Sequence, residues 1–288
     1  MNICIIGLGL LGGSFSLGLR SIGKNIFVYG VDTNPDNANA ARNLGIADQI
    51  VSFEEGINKS ELVVLATPVD VMTSQVINAL DILPSQAILT DLGSTKEHIC
   101  KAADTHPRRK QYIAAHPIAG TENSGPEAAF ASLLKHKMMI ICDKEKSNKQ
   151  AIEFLENIFK SLEMRIFYMN SVEHDRHIAY VSHLSHISSF ALGSTVLDKE
   201  KDERSIFAMA GSGFSSTVRL AKSSPDMWAP IFTQNKKNVS EALDAYIKKL
   251  QYFKKIIDEN EELKSHTLMK EANDIRRVLQ GISKSDAE

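Results

Sequence analysis

The N-terminus carries a glycine motif directly after a strand-like apolar run, and this motif constrains the fold more than any other feature. Asn2–Ile6 is nearly all apolar, and the next six residues have the spacing GxGxxG. Gly7 permits a tight turn, Gly9 lets the backbone approach a pyrophosphate, and Gly12 lets the following helix pack on the strand. The start of that helix offers free N–H groups to phosphate. We therefore expect a dinucleotide to bind at Gly7, Leu8, Gly9, Leu10, Leu11 and Gly12.

A carboxylate at the end of the second predicted strand completes this motif. Asp32 follows Gly12 by 20 residues, and such a carboxylate binds the ribose hydroxyls of NAD while repelling the 2′-phosphate of NADP. The next two residues are Thr and Asn, so no arginine is at hand for that phosphate. The sequence thus favours NAD as the cofactor. Thr67 and Pro68 follow the predicted strand Leu62–Ala66 and are expected to border the nicotinamide, although Pro68 can also simply begin a helix.

The first part of the chain alternates short apolar runs with helix-like stretches, which is typical of a doubly wound parallel sheet. From Ser171 onward the pattern is helical. Ser171 can cap a long helix, Val172–Leu197, whose apolar and small residues occupy more than one face and predict burial all round. We therefore predict an α/β fold, with a Rossmann-type doubly wound domain over residues 1–170 and an all-helical domain over residues 171–288. The predicted strands are Asn2–Ile6, Ile26–Val31, Leu62–Ala66, Ala87–Asp91, Tyr112–Ala115, Met138–Ile141 and an edge strand Arg165–Met169; the predicted helices before Ser171 lie at about 10–30, 34–44, 69–82, 95–105 and 148–162.

Charge and hydropathy exclude several kinds of partner. The chain has 33 Lys+Arg against 35 Asp+Glu and a net charge of −2, which gives no electrostatic case for nucleic acid or an anionic membrane. No apolar run reaches the roughly 20 residues that span a bilayer. The three cysteines are widely spaced and indicate no disulfide framework, as in a reducing compartment. We expect a cytoplasmic protein that binds neither nucleic acid nor membrane.

Four segments concentrate chemically useful side chains. Asp91–Lys96 (DLGSTK) and Ala115–Glu122 (AHPIAGTE) each follow a predicted strand, where the carboxyl ends of the strands face the ligand crevice. Val181–His186 (VSHLSH) lies on the predicted long helix, and Phe214–Ala221 (FSSTVRLA) follows a glycine-rich break.

In this order, the motifs resemble the prephenate dehydrogenase family, which also contains arogenate dehydrogenases. The resemblance spans nearly the whole chain, and HPIAGTE is its most specific part. It implies oxidative decarboxylation of prephenate to 4-hydroxyphenylpyruvate with hydride transfer to NAD, a step of tyrosine biosynthesis. It also implies that the helical domain binds substrate and forms a homodimer. We expect no ACT regulatory domain, because only a short helical tail follows residue 265.

The resemblance assigns roles residue by residue. His116 matches the catalytic histidine that takes the proton of the substrate ring hydroxyl, for which a neutral imidazole is suited. Ser94 matches a serine that orients the ring hydroxyl and the nicotinamide. Arg219 matches an arginine that holds a substrate carboxylate, and His186 matches a histidine that contacts the substrate side chain. The neighbouring pocket residues are Thr121, Glu122 and Ser182.

Structural interpretations of these residues stay open. Ser94 can cap the next helix, and Arg219 can pair with a carboxylate such as Asp226. The HxxH spacing that ends at His186 is that of half a zinc site, but no third ligand is evident, and we expect no metal. The residues interpreted as packing or subunit contacts are His174, Asp175, His183 and Trp228.

Alternatives for the function stay open as well. An arogenate dehydrogenase would act on a substrate that has an amino group in place of the side-chain keto oxygen. Another dehydrogenase with a Rossmann and a helical domain, such as a 3-hydroxyacid dehydrogenase or an imine reductase, would carry a lysine or another polar pair on the long helix. A non-catalytic NAD-binding protein is disfavoured by the intact HPIAGTE segment, Ser94 and Arg219.

Overall fold

A computed structural model describes residues 1–23, 25–201 and 204–279. Residues Met1–Asn235 form one compact unit built on an eight-stranded sheet of order β3-β2-β1-β4-β5-β6-β7-β8. All neighbouring strands are parallel except β6 and β7. The strands are β1 (Asn2–Ile6), β2 (Phe27–Val31), β3 (Gln49–Ile50), β4 (Leu62–Leu65), β5 (Ile88–Asp91), β6 (Tyr112–Pro117), β7 (Met138–Cys142) and β8 (Arg165–Met169).

Helices cover both faces of this sheet. One buried apolar cluster contains Phe15 and Phe159, whose rings meet edge to face at 6.5 Å, and the other contains Met72 and Ile99. The helices of this unit are α1 (Leu10–Ser21), α2 (Pro35–Asn43), α3 (Phe53–Asn58), α4 (Val69–Ile82), α5 (Glu97–Ala103), α6 (Lys149–Ser161), α7 (Ser171–Ile178), α8 (Leu184–Glu200), α9 (Ser212–Val218) and α10 (Pro225–Gln234).

The doubly wound α/β prediction is confirmed, with local differences. The helix predicted at about 10–30 ends at Ser21, because Gly23 takes a left-handed φ of +73° and the chain then enters β2. The two-residue strand β3 was too short to show a pattern. β7 runs antiparallel to β6 because a connection without an α-helix, residues 118–137, joins them.

The predicted long helix has three parts. A π-helical turn, Ala179–His183, separates α7 from α8. The cap of α7 is Asn170 rather than Ser171, whose N–H and hydroxyl instead donate to Asp143. Within the single chain this segment is not buried on every face, because Val181 is 73% exposed.

The described residues from Lys236 onward form a second compact unit, with helices α11 (Lys236–Asp258) and α12 (Glu262–Ala272). No helix of the described ranges is long and apolar enough to cross a membrane. Every strand of the described ranges precedes residue 170, whereas the boundary between the two compact units lies after Asn235. The predicted boundary near residue 170 stays a prediction.

Candidate active site

The glycine turn after β1 is shaped for a nucleotide. Gly7 has φ +94°, and a Cβ there would lie 2.6 Å from the Ala66 carbonyl oxygen. A Cβ on Gly12 would lie 2.0 Å from the Gly7 oxygen, whereas a Cβ on Gly9 would meet nothing within 4 Å. The backbone therefore requires glycine at two positions and leaves open space at the third. Gly9 is the N-cap of α1, and no side chain caps the N–H groups of the first turn, which leaves them available to a phosphate.

Asp32 lies half-buried beside this turn, at the end of β2. Its Oδ2 accepts from Leu8 N–H at 2.9 Å, and its Oδ1 accepts from Asn34 N–H at 2.9 Å. Each oxygen keeps a further lone pair for a ribose hydroxyl. The predicted cofactor residues of this turn are thus brought together, and the cradle fits a dinucleotide.

Thr67 and Pro68 lie between β4 and α4, at the carboxyl edge of the sheet. The Thr67 hydroxyl donates to Gln75, and Pro68 occupies the position just before α4 begins. Pro68 therefore precedes the helix instead of opening it at the first helical position. A contact of either residue with the nicotinamide stays a prediction.

His116 stands near the end of β6 and is buried, with 8% of the residue exposed. Its Nδ1 lies 2.8 Å from Nε2 of His174, the buried histidine of α7. Burial, followed by the neighbouring His174 and Lys96, holds the pKa of His116 well below its usual value. The imidazole is consequently neutral at pH 7, so one of its ring nitrogens carries a free lone pair.

A buried ion pair lies beneath this histidine. Lys96 Nζ donates to Asp91 and, at 2.9 Å, to the Ala115 carbonyl oxygen, and both charged side chains are fully buried. The Tyr112 hydroxyl donates to the other carboxylate oxygen of Asp91 at 2.7 Å. Because each charge is paired and hydrogen-bonded, this pair fixes the end of β5 against the residue before His116.

Ser94 does not cap the following helix. α5 begins at Glu97, and the N–H groups of Lys96 and Glu97 donate to the carboxylate of Asp175 at 2.7 and 2.9 Å. The carboxylate of Asp175, from α7, therefore caps the start of α5 in place of Ser94. Within the described residues the Ser94 hydroxyl makes no hydrogen bond, which leaves it free for a ligand.

The helical side of the site is built around Trp228. The ring of His186 stacks on it at 3.6 Å with a 26° tilt, and His186 Nδ1 donates to the Ser182 carbonyl oxygen at 3.0 Å. Because a carbonyl only accepts, His186 keeps a lone pair on Nε2. Burial lowers the pKa of His186, and Arg219 lowers it further.

Two buried polar atoms in this region lack a partner within the described residues. They are Nε2 of His183 and Nε1 of Trp228, whose rings meet edge to face at 5.9 Å. Leaving such atoms unpaired costs about 1–3 kcal/mol each.

Arg219 binds Glu122, not Asp226. Its Nη1 donates to Glu122 Oε2 at 3.1 Å. The Thr121 hydroxyl in the same turn accepts from Asn123 N–H at 3.2 Å. Two predicted substrate residues, Arg219 and Glu122, are therefore brought into contact, while no hydrogen bond among the described residues joins Ser94, His116 and Arg219 to each other.

The structure adds several residues to the site that the sequence did not indicate. His174 and Asp175 were interpreted as packing or subunit contacts, but they form the hydrogen bonds behind His116. Asn235 donates to the Asp175 carbonyl oxygen at 2.6 Å, and no sequence signal marked it. Within the described ranges, no group of three His, Cys, Asp or Glu residues is placed to hold a metal ion.

A Rossmann-type nucleotide cradle on the sheet that also carries a buried histidine is typical of an oxidoreductase, and comparisons with known proteins specify the family. Family models match twice: "Prephenate dehydrogenase, nucleotide-binding domain" over residues 15–168 and "Prephenate dehydrogenase, dimerization domain" over residues 170–271. The chain is 30% identical to the prephenate dehydrogenase of Bacillus subtilis, over 96% of this chain and 75% of that protein. It is 29% identical to the cyclohexadienyl dehydrogenase of Zymomonas mobilis, over 87% of this chain and 86% of that protein.

A solved structure shows the same likeness. The prephenate dehydrogenase of Aquifex aeolicus, determined in complex with hydroxyphenyl propionate and NAD+, matches with a TM-score of 0.88 and 32% identity over 97% of this chain and 98% of that one. The chain belongs to the prephenate dehydrogenase family, whose enzymes serve aromatic amino acid biosynthesis.

Proposed function

We propose that the protein catalyses the NAD-dependent oxidative decarboxylation of prephenate to 4-hydroxyphenylpyruvate. The observation that carries this proposal is His116, a buried neutral imidazole at the carboxyl edge of the sheet that also holds the nucleotide cradle. A base at this position can take the proton of a ring hydroxyl while hydride leaves the same carbon. The bound nicotinamide supplies the hydride acceptor.

The electrons balance without any further reactant. The O–H proton passes to Nε2 of His116 as the C–H bond gives up its hydride, and the hydroxyl becomes a carbonyl. The bond to the ring carboxylate then breaks, CO2 leaves, and the electron pair enters the ring and ends on the oxygen. That oxygen recovers the proton from His116 as the aromatic product forms. The protein mainly positions the reactants and holds their charges.

The remaining predicted residues hold and orient the substrate. Arg219 is half-exposed and binds a carboxylate already, that of Glu122, so it offers the right chemistry for a substrate carboxylate. Ser94 has a free hydroxyl for the ring oxygen. His186, with Nε2 unprotonated, lies against the indole of Trp228 and contacts the substrate side chain. Thr121 and Ser182 are assigned to the same substrate site.

NAD is the nucleotide that the cradle accommodates best. Asp32 is held by backbone N–H groups so that its charge faces the ribose position, where a 2′-phosphate would be repelled. The Aquifex aeolicus relative was solved with NAD+. Gly9 leaves room for the pyrophosphate beside the start of α1.

Arogenate is the alternative substrate. The family includes relatives named as cyclohexadienyl and as arogenate/prephenate dehydrogenases. The two substrates differ in the side chain, where His186 is assigned, and not at the ring carbon that reacts at His116.

The chain assembles as a homodimer through its helical part. The family match over residues 170–271 is described as a dimerization domain. Apolar side chains on this part stand in solvent in the single chain, with Tyr180 49%, Val181 73% and Leu197 55% exposed. Val181→Glu or Leu197→Glu is expected to give monomers by light scattering, whereas Leu44→Glu, an exposed apolar site on the nucleotide domain, is not.

Turnover tests the proposed function. Purified protein is mixed with prephenate or arogenate and with NAD or NADP, and the absorbance of the reduced nicotinamide is followed. Prephenate with NAD is expected to be fastest. Faster turnover of arogenate would select the alternative substrate, and no turnover in any combination would contradict the enzymatic function.

A further inference from the structure

A chain of hydrogen bonds runs away from His116 into the protein. His116 Nδ1 lies 2.8 Å from His174 Nε2, and His174 Nδ1 lies 2.7 Å from Asp175 Oδ1. All three residues are buried, with 8%, 1% and 2% exposed. The far end is anchored, because the Asp175 carboxylate also accepts the N–H groups of Lys96 and Glu97 at the start of α5.

The Asp175 carboxylate determines the direction in which each hydrogen bond of this series is donated. A carboxylate only accepts, so His174 Nδ1 carries the hydrogen that points to Asp175. Burial lowers the pKa of His174, which is therefore neutral and has only an acceptor at Nε2. His116 Nδ1 must then donate. A neutral histidine that donates from Nδ1 has its lone pair on Nε2.

We propose that His174 and Asp175 are positioning residues that hold His116 in the tautomer whose Nε2 is free to take the substrate proton. This inference rests on the proposed function, in which Nε2 is the base. His174 contacts His116 directly, and Asp175 acts on His116 through His174. As His116 gains its proton, the new cation lies at one end of a chain whose other end is the Asp175 carboxylate, which stabilises that charge.

Other charged and titratable groups also face the hydrogen bonds between His116, His174 and Asp175. Lys96, from the segment between β5 and α5, lowers the pKa of both histidines, and its own charge is paired with Asp91. His183, on the π-helical turn, lowers the pKa of His116 and is itself held near a pKa of about 4 by burial. These groups oppose protonation of His116 at rest, whereas Asp175 raises the pKa of His174.

Nitrogen NMR of the histidine rings tests the tautomer without any turnover. The probe is the full-length protein labelled with ¹⁵N in its histidine rings, and the His116 signals are assigned by their loss in His116→Asn. The expected result at neutral pH is one tautomer for His116, protonated at Nδ1 and unprotonated at Nε2. A His116 ring protonated at Nε2 would overturn the proposal.

Two variants of His174 test its effect on the reaction. His174→Leu removes the acceptor and is expected to lower kcat about 100-fold or more with little change in the KM for prephenate, since the base loses its fixed tautomer. In the NMR experiment its His116 is expected as a mixture of tautomers. His174→Gln keeps an oxygen that accepts from His116 Nδ1 and an N–H that faces Asp175. It is expected to recover kcat to within about tenfold of the wild type.

The control is His98→Leu, which removes an exposed histidine of α5 and is expected to leave kcat and KM at wild-type values. Unchanged kcat in folded His174→Leu would overturn the positioning role while the proposed function stands. If His174→Leu does not fold, the tautomer of His116 in the wild type and the kcat of His174→Gln test the positioning role. Absent turnover in the wild type would contradict the proposed function, and the NMR result would still support or overturn the fixed tautomer.

Discussion

Arg219 Nη1 donates to Glu122 Oε2 at 3.1 Å, although the two residues stand 97 positions apart in the chain. The pair joins the turn after β6 to the 3-10 turn Arg219–Lys222 that follows α9. Its side chains are 52% and 29% exposed, and an ion pair in such a setting contributes little to stability. A substrate carboxylate is therefore able to compete with Glu122 for the guanidinium.

Removing the guanidinium is expected to weaken substrate binding more than chemistry. Arg219→Ala should raise the KM for prephenate about 10–100-fold, the worth of a charge-assisted hydrogen bond, with kcat changed less than KM. The KM of Arg219→Lys should lie between those of the wild type and Arg219→Ala, because lysine keeps the charge but lacks the paired N–H groups of the guanidinium. Lys222→Ala, a neighbouring cation, is the control. An unchanged KM in Arg219→Ala would assign Arg219 to structure alone.

The three glycines of the turn are expected to respond differently to alanine. Gly9→Ala meets no atom within 4 Å and should leave the melting temperature near that of the wild type while weakening NAD binding. Gly12→Ala places its Cβ 2.0 Å from the Gly7 oxygen and should destabilise the fold by more than about 2 kcal/mol. Thermal unfolding and NAD titration measure both effects. Equal destabilisation by both substitutions would contradict the open space at Gly9.

Asp32 is expected to set the choice of nucleotide. Asp32→Ala removes the carboxylate that repels a 2′-phosphate, so kcat/KM for NAD should fall and the ratio of NADP to NAD use should rise at least tenfold, or about 1.4 kcal/mol. Asp36→Ala, an exposed carboxylate in the first turn of α2, is the control. A ratio that does not change would show that selectivity lies elsewhere.

His183 is expected to make stability depend on pH. Burial lowers its pKa to about 4, below the value of about 6.5 for an exposed histidine. Between these values the unfolded chain binds the proton more readily, so the free energy of unfolding falls as pH falls from about 6.5 to about 4. In His183→Leu this decrease should be smaller, by at most ~3 kcal/mol. Denaturant titrations over this range measure it, with exposed His98→Leu expected to follow the wild type; a His183→Leu curve parallel to the wild type would contradict the effect.

The parts of the fold that depend on local pattern could be predicted from the sequence. β1 and the glycine turn follow from an apolar run and a spacing, and His116 lies at a strand end because AHP directly follows apolar residues. The tight approach at Gly12 also agrees with its predicted role. These features need only neighbours along the chain.

The parts that depend on distant contacts could not be predicted. His174 and Asp175 stand in the first turns of a helix, where polar residues are ordinarily exposed. They are buried by contacts with distant parts of the chain: α7 packs against α5, and His174 meets His116. The ion-pair partner of Arg219 could not be predicted, because Asp226 is near it in sequence whereas Glu122 is near it only in space. The π-helical turn at Ala179–His183 has no sequence pattern that distinguishes it from a regular helix.

The proposed reaction is the oxidation of prephenate with His116 as the base. The most direct measurement is simultaneous detection of reduced NAD and of CO2 from prephenate labelled in its ring carboxylate, for the wild type and for His116→Asn. The wild type should release both in equal amounts, and folded His116→Asn should be slower about 100-fold or more. Reduced NAD without labelled CO2 would contradict oxidative decarboxylation, and wild-type rates in His116→Asn would contradict the role of His116 as the base.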